Sequence, residues 1–351
     1  MSDPLKPQER NWLQDIVFKA NEIRAISSQE TGGNDKSYVK ASYEDHWGEQ
    51  ISSIKDKIDC GESLEHIVSH MRQPQHLRNG YNRVGGNLAA NLMKEFTGQH
   101  GDAGPLTRLG VSESRYIPMN NFDPIIALKE MASSFSNIVE LGAGPGWNLF
   151  NIATFLGNAV SDKRLFGLEY SDAGLAVMKM LSEHGNLPLS TSFFDYTAPD
   201  LSMIPDDGPT LFFSHLSIEQ VEDIDGSLYE QMAQRQHPVK LVHCEPIGWQ
   251  RIPTFAKARQ EDERSIFQAM ITQRLNSLTD ENAVVLNAAI NSWRVKYNRN
   301  ALLLIREFEK RKVLKVVRCH YDFTHSTNDN PANPSTYIEI DFPSRFPMPA
   351  Q

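Results

Sequence analysis

Val139-Glu-Leu-Gly-Ala-Gly-Pro-Gly-Trp147 links an apolar run to the helix-compatible stretch WNLFNIATFLG through glycines at alternate positions. A strand, a Gly-rich turn and a helix N-terminus form the general recipe for holding a nucleotide-like ligand against backbone N–H groups. Glycine at Gly142, Gly144 and Gly146 lets the chain turn tightly and approach a ligand with no Cβ in the way. The spacing is not that of a dinucleotide fingerprint, G-x-G-x-x-G. Counted from Gly142, the third glycine falls on Trp147; counted from Gly144, Gly146 fits but the last position is Leu149. The turn therefore argues against NAD.

On the C-terminal side of this turn, short β-rich runs alternate with helical ones, the pattern of an α/β chain with a parallel sheet. Strands are predicted at Asn137–Leu141, Leu165–Glu169, Leu189–Phe194, Thr210–Ser214 and Val239–Cys244. Between them Ser171–His184 reads as a helix whose Leu175, Val177, Met178 and Leu181 can cover one sheet face. A long helical segment runs from Phe255 to Lys310 with a break near Thr279–Asn282, and Val313–Phe323 and Ser335–Phe342 read as two strands joined by a polar loop. On the N-terminal side, residues 1–130 are polar and helical, with apolar residues at helical spacing over Asn11–Ser27, Ile51–Met71 and Leu88–Phe96. The expected organisation is a helical extension or lid over 1–130 and a ligand-binding α/β domain over 131–351, with a helical insertion at about 253–310.

Composition narrows the partners. The 351 residues are 40% hydrophobic and 23% charged, with a formal charge of −9. The densest basic stretch, Arg306–Arg318, is interrupted by Glu307 and Glu309 and suits a solvated helix face. Nucleic acid is thus not an expected partner. No run approaches the ~20 apolar residues of a membrane span, and the N-terminus lacks the apolar core of a signal peptide. Cys60, Cys244 and Cys319 are scattered, with no CxxC pair, so neither a disulfide framework nor a zinc knuckle is indicated. The expectation is a cytoplasmic protein with no metal.

Two acids follow the Gly-rich turn at the ends of the next two strands: Glu169 in LFGLEY and Asp195 in SFFDY. An ionised carboxylate at Glu169 can accept from a ribose diol, and Asp195 can accept from an adenine amino group. Glu140 can reach the loop N–H groups or the amino-acid end of such a ligand. The ELGAGPGWN turn, Glu169, Asp195 and the final strand pair resemble the class I (Rossmann-like) methyltransferases that use S-adenosylmethionine (SAM). The resemblance covers about residues 136–342. It implies SAM as cofactor, held by Glu140, Gly142, Gly144, Gly146, Glu169 and Asp195, and a seven-stranded sheet whose last strand, Ser335–Phe342, is antiparallel and inserted beside Val313–Phe323.

In that family the residues after the fourth strand line the acceptor pocket. Here they read Phe213-Ser-His-Leu-Ser-Ile-Glu-Gln220, without the Asn/Asp-Pro-Pro-aromatic stretch of the members that methylate base amino groups. His215 suits deprotonating a hydroxyl, and His243 and Glu245, on one face of the next strand, can approach it. His215 and Glu245 are the candidate catalytic residues. Glu219, Tyr297 and Arg299 are candidates for the substrate, as are Tyr81, Arg83, Arg115, Tyr116 and Trp293. The stretch SHLSIEQ is similar, over these few residues, to sugar O-methyltransferases. The expected activity is methyl transfer from SAM to a hydroxyl of a small polar acceptor, a sugar or a natural-product intermediate. Alternatives are an N-methyltransferase acting on an amine or peptide, and a catalytically silent subunit that binds a partner.

Overall fold

A computed structural model describes residues 36–71, 124–260, 288, 289, 292, 296–323 and 335–343. Strand β1 (Asn137–Leu141) is buried along its whole length, as expected of a strand covered by helices on both faces. It pairs in parallel with β2 (Arg164–Glu169) on one side and with β4 (Thr210–His215) on the other. Beyond β2 lies β3 (Leu189–Phe193), and beyond β4 lies β5 (Val239–Glu245), both parallel. The sheet is closed by β6 (Lys315–Phe323) and β7 (Ser335–Phe342) in the order β3-β2-β1-β4-β5-β7-β6. The last strand enters between β5 and β6 and is antiparallel to both. This is the seven-stranded Rossmann-like methyltransferase topology expected from the sequence.

Side-chain alternation along the strands divides the core into two layers. Val139, Leu141, Phe166, Phe212 and Leu241 face one layer, against α6 (Ser227–Ala233) and α8 (Ala301–Lys310). Ile138, Leu165, Leu211, Phe213 and Val242 face the other, against α3 (Pro124–Ala132), α4 (Trp147–Leu156) and α5 (Asp172–Gly185). Two N-terminal helices, α1 (Lys36–Asp59) and α2 (Leu64–Met71), contribute Ile54, Ile67, Val68 and Met71 to this second layer. They pack into the same core as the sheet.

Some boundaries differ from the sequence expectation for local reasons. The helix expected over Ile51–Met71 is two helices, because Gly61 takes a left-handed φ of 76° after α1. α1 instead extends back to Lys36. The long C-terminal helical segment begins with α7 (Pro253–Gln260) and is broken at residues 296–300, where Lys296 has φ 53°. The break expected near Thr279–Asn282 lies outside the described residues, as do the helices expected over Asn11–Ser27 and Leu88–Phe96. β6 starts at Lys315 because Lys312, with φ 59°, and the Val313 N–H bond to Phe308 O still belong to the end of α8. Among the described residues, no helix is long and apolar enough to cross a membrane.

Candidate active site

The Gly-rich turn leaves β1 at the C-terminal edge of the sheet, where ligands bind in open α/β folds. Gly142 and Gly144 have φ of 66° and 53°, the left-handed region that costs other L-residues about 1–2 kcal/mol. The sequence reading attributes the glycines to a tight turn and to ligand approach; packing adds a third reason. A Cβ on Gly142 would lie 2.5 Å from Ser217 Cβ, and one on Gly144 would lie 3.2 Å from the Trp47 ring. The turn is pressed between the loop after β4 and helix α1. Gly142 and Gly144 still line a cavity of about 840 Å³, whereas Gly146 is not among its lining residues. A Cβ on Gly146 would meet Met178 of α5 at 2.7 Å, so this glycine serves helix packing.

The three acids expected to hold the ligand, Glu140, Glu169 and Asp195, all stand in the cavity wall. Glu140 is buried in the second strand layer, and its Oε1 accepts from Asn148 Nδ2 at 2.6 Å. Glu169 ties three segments together. Its Oε2 accepts the Gly144 N–H at 2.8 Å, and its Oε1 accepts from Ser171 N–H at 2.9 Å and Ser171 Oγ at 2.6 Å. Asp195 Oδ1 accepts from the N–H and the hydroxyl of Thr197, both at 2.8 Å.

Strand β4, the neighbour of β1, ends in His215, which is half-buried and lines the cavity. The next residue, Leu216, has φ 53° and donates its N–H to Cys244 O. This turns the chain so that Ser217 packs on Gly142. Glu245 lies behind that turn. Its carboxylate accepts the Ser217 N–H at 3.0 and 3.2 Å and is fully buried, outside the cavity lining. Burial pushes its carboxyl up to about 7, opposed by hydrogen bonds from Ser214 and from the backbone of Ser217, Ile218 and Glu219. The structure thus places Glu245 behind the loop after β4, bonded to Ser217 and away from the cavity surface. His243 is a core residue, hydrogen-bonded by Nδ1 to Ser214 Oγ at 2.8 Å and by Nε2 to the Tyr229 hydroxyl at 3.3 Å. Burial pushes it down to about 3, so it is neutral at pH 7.

The three substrate candidates meet at the loop of residues 219–224, but none is in the cavity lining. Glu219 O accepts the Asn298 N–H, and Asn298 Nδ2 donates to Val221 O at 3.0 Å. Tyr297 O accepts from Arg259 Nη2 at 3.2 Å. Arg299 grips Asp223 with Nε at 3.0 Å and Nη2 at 2.7 Å, so its guanidinium is spent on holding the loop. The cavity is instead reached by Gln220, Val221, Glu222, Asp223 and, from the turn before Tyr297, Lys296. Tyr81, Arg83, Arg115, Tyr116 and Trp293 lie outside the described residues. Among the described residues, no group of three His, Cys, Asp or Glu is placed to hold a metal ion.

The sequence reading misses the contribution of α1. Tyr43 and Trp47 line the cavity from this helix. Glu44, between them, accepts the N–H groups of Asp172 and Ala173 at 2.6 and 2.8 Å and so caps α5. Lys40 adds an ion pair to Asp172 at 3.2 Å. The available signal is two aromatics at i and i+4 in an otherwise polar stretch.

No protein-family model matches the chain. No curated protein matches it either. Solved structures give distant likenesses. The O-methyltransferase from Bacillus cereus in complex with SAH is 12% identical at a TM-score of 0.34, over 65% of this chain and 84% of that one. A SAM-dependent methyltransferase from Aquifex aeolicus is 10% identical at 0.35, over 66% and 94%. The plantazolicin methyltransferase BpumL in complex with SAH is 10% identical at 0.35, over 83% and 99%.

Proposed function

We propose that this protein transfers the methyl group of SAM to a hydroxyl of a small polar acceptor, with His215 as the general base. The observation that carries the reading is one cavity at the C-terminal ends of β1, β2 and β4 that is lined by the Gly-rich turn, its acids and His215. Its volume of about 840 Å³ lies within the range of about 300–1,000 Å³ common for small-molecule sites.

The residues present fit a cationic nucleoside. Glu140, Glu169 and Asp195 make that end of the cavity acidic, and Tyr43, Trp47, Tyr170 and Phe194 supply apolar ring surface. A carboxylate offers roughly four lone-pair sites. Glu169 uses three of them on Gly144 and Ser171, which leaves one for a ribose hydroxyl. Asp195 suits the adenine side, and Glu140 with Asn148 suits the amino-acid end. When bound, SAM supplies an electrophilic methyl group on a sulfonium sulfur. The acceptor oxygen forms the new C–O bond, the C–S electron pair stays on sulfur as a thioether, and the acceptor's proton passes to His215. Neutral imidazole can take that proton, and the Leu216 turn backed by Glu245 holds the ring at the cavity wall. The protein's further contribution is to position the reactants and exclude water.

The acid-rich lining also supports a second reading, an amine acceptor, which needs less base assistance. Incubation with methyl-labelled SAM and fractionated polar metabolites, followed by identification of the labelled product, tests both. An O-methylated product is expected; an N-methylated one favours the amine, and a chain that binds no SAM by calorimetry contradicts the whole reading.

A further inference from the structure

One cavity wall is not built by the sheet. Helix α1 supplies it with Tyr43 and Trp47, whose rings stack with centroids 6.1 Å apart and an interplanar angle of 18°. Capping of α5 by Glu44 fixes the register of this helix, so the two aromatics on either side of Glu44 are set toward the cavity. Trp47 packs against the Gly144 turn. Its indole N–H is buried with no hydrogen-bond partner among the described residues.

Tyr43 occupies the more informative position. It lines the same cavity as Glu169, His215 and the loop residues Gln220 to Asp223. Tyr43 therefore shares one cavity with the Gly-rich turn and with His215. Burial, and then the neighbouring carboxylates, hold the phenol well above its ordinary range, so it remains protonated and acts as a hydrogen-bond donor.

We propose that Tyr43 is a direct acceptor contact that donates its O–H to the acceptor oxygen. This rests on the hydroxyl-methylation reading. An alcohol oxygen has two lone pairs and one proton. With one lone pair accepting from Tyr43 and the proton directed to His215, the second lone pair is left facing the methyl group. The C–O bond forms from that pair, the C–S pair goes to sulfur, the acceptor's proton goes to His215, and Tyr43 keeps its own proton. Orientation of this kind is a recognised source of rate.

The test compares the full-length wild type with Tyr43→Phe and Tyr43→His, using labelled SAM and the polar-metabolite fraction that accepts the label. Tyr43→Phe keeps the ring stack and removes only the hydroxyl. Its SAM affinity by calorimetry and its melting midpoint should match the wild type, while kcat/KM for the acceptor falls about five- to tenfold, the worth of one neutral hydrogen bond. Tyr43→His, with an N–H donor, should recover part of that loss, which a merely structural role does not explain. Unchanged kcat/KM in Tyr43→Phe, beside an active wild type, overturns the Tyr43 assignment alone. A matching loss of SAM affinity overturns it in favour of a cofactor contact. A wild type that transfers no label overturns the underlying reading and this one with it.

Discussion

Glu169 Oε2 accepts the N–H of Gly144 at 2.8 Å, which joins the end of β2 to the Gly-rich turn after β1. The same carboxylate holds Ser171 at the start of α5. The joint between the turn and α5 at this end of the cavity therefore depends on one side chain. Glu169→Ala is expected to weaken SAM binding by roughly 1.5–3 kcal/mol, the scale of hydrogen bonds to a charged group. It should also lower the melting temperature of the ligand-free protein, because the turn loses its anchor. Calorimetric titration and thermal melts measure both; unaltered SAM affinity removes Glu169 from the site.

Glu245 gives a pH signature. Its folded-state pKa of about 7 lies above its ordinary value of 4.5. The stability it contributes is fully present below about 4.5 and is lost as pH rises through about 7, by on the order of 3 kcal/mol. His243 has the opposite sign. Its folded-state pKa of about 3 lies below the ordinary 6.5, so its contribution is present above 6.5 and is lost as pH falls toward 3. The two overlap, so the wild type alone does not separate them. The difference in urea stability between wild type and Glu245→Gln, taken at pH 5 and pH 8, isolates the glutamate. The wild type should lose stability relative to the variant between these pH values. A constant difference shows that Glu245 does not titrate there.

The glycines should differ in their tolerance of a methyl group. Gly142→Ala drives a Cβ to 2.5 Å from Ser217 Cβ, whereas Gly144→Ala meets the Trp47 ring at 3.2 Å. Both pay the left-handed backbone cost, so the difference between them reports the contact. Gly142→Ala should be the less stable by denaturant unfolding. Adding Trp47→Ala should relieve part of the Gly144→Ala defect and none of the Gly142→Ala defect. Equal stabilities, or relief of both, contradict the packing described for the turn.

The central parallel strands β1, β2, β4 and β5 are legible in the sequence because both of their faces are buried, which leaves short β-rich runs punctuated by turn residues. Glu169 and Asp195 follow from that reading, since strand ends locate them. Depth is not legible in the same way. The alternation around His243-Cys-Glu245 sets which residues share a face, but not that Ser217 folds over Glu245 and closes it from the cavity. α1 escapes because residues 36–50 carry few aliphatic side chains, and its docking depends on Glu44 and two aromatics. The break at 296–300 escapes because Lys296 takes a left-handed conformation without a glycine, and Asn298 replaces the helical hydrogen bonds with bonds to Val221, Asn300 and Ala301.

The account turns on His215. It lines the same cavity as the Gly-rich turn and its acids, and its proposed task is to take the acceptor's proton as the methyl group arrives. The decisive measurement is single-turnover methyl transfer by His215→Asn across pH 6 to 9, with SAM affinity measured in parallel. The expected result is unchanged SAM binding with transfer slowed by ~10²–10⁴, the usual size of general base catalysis. Near-normal transfer throughout that pH range contradicts the base assignment and points to an amine acceptor.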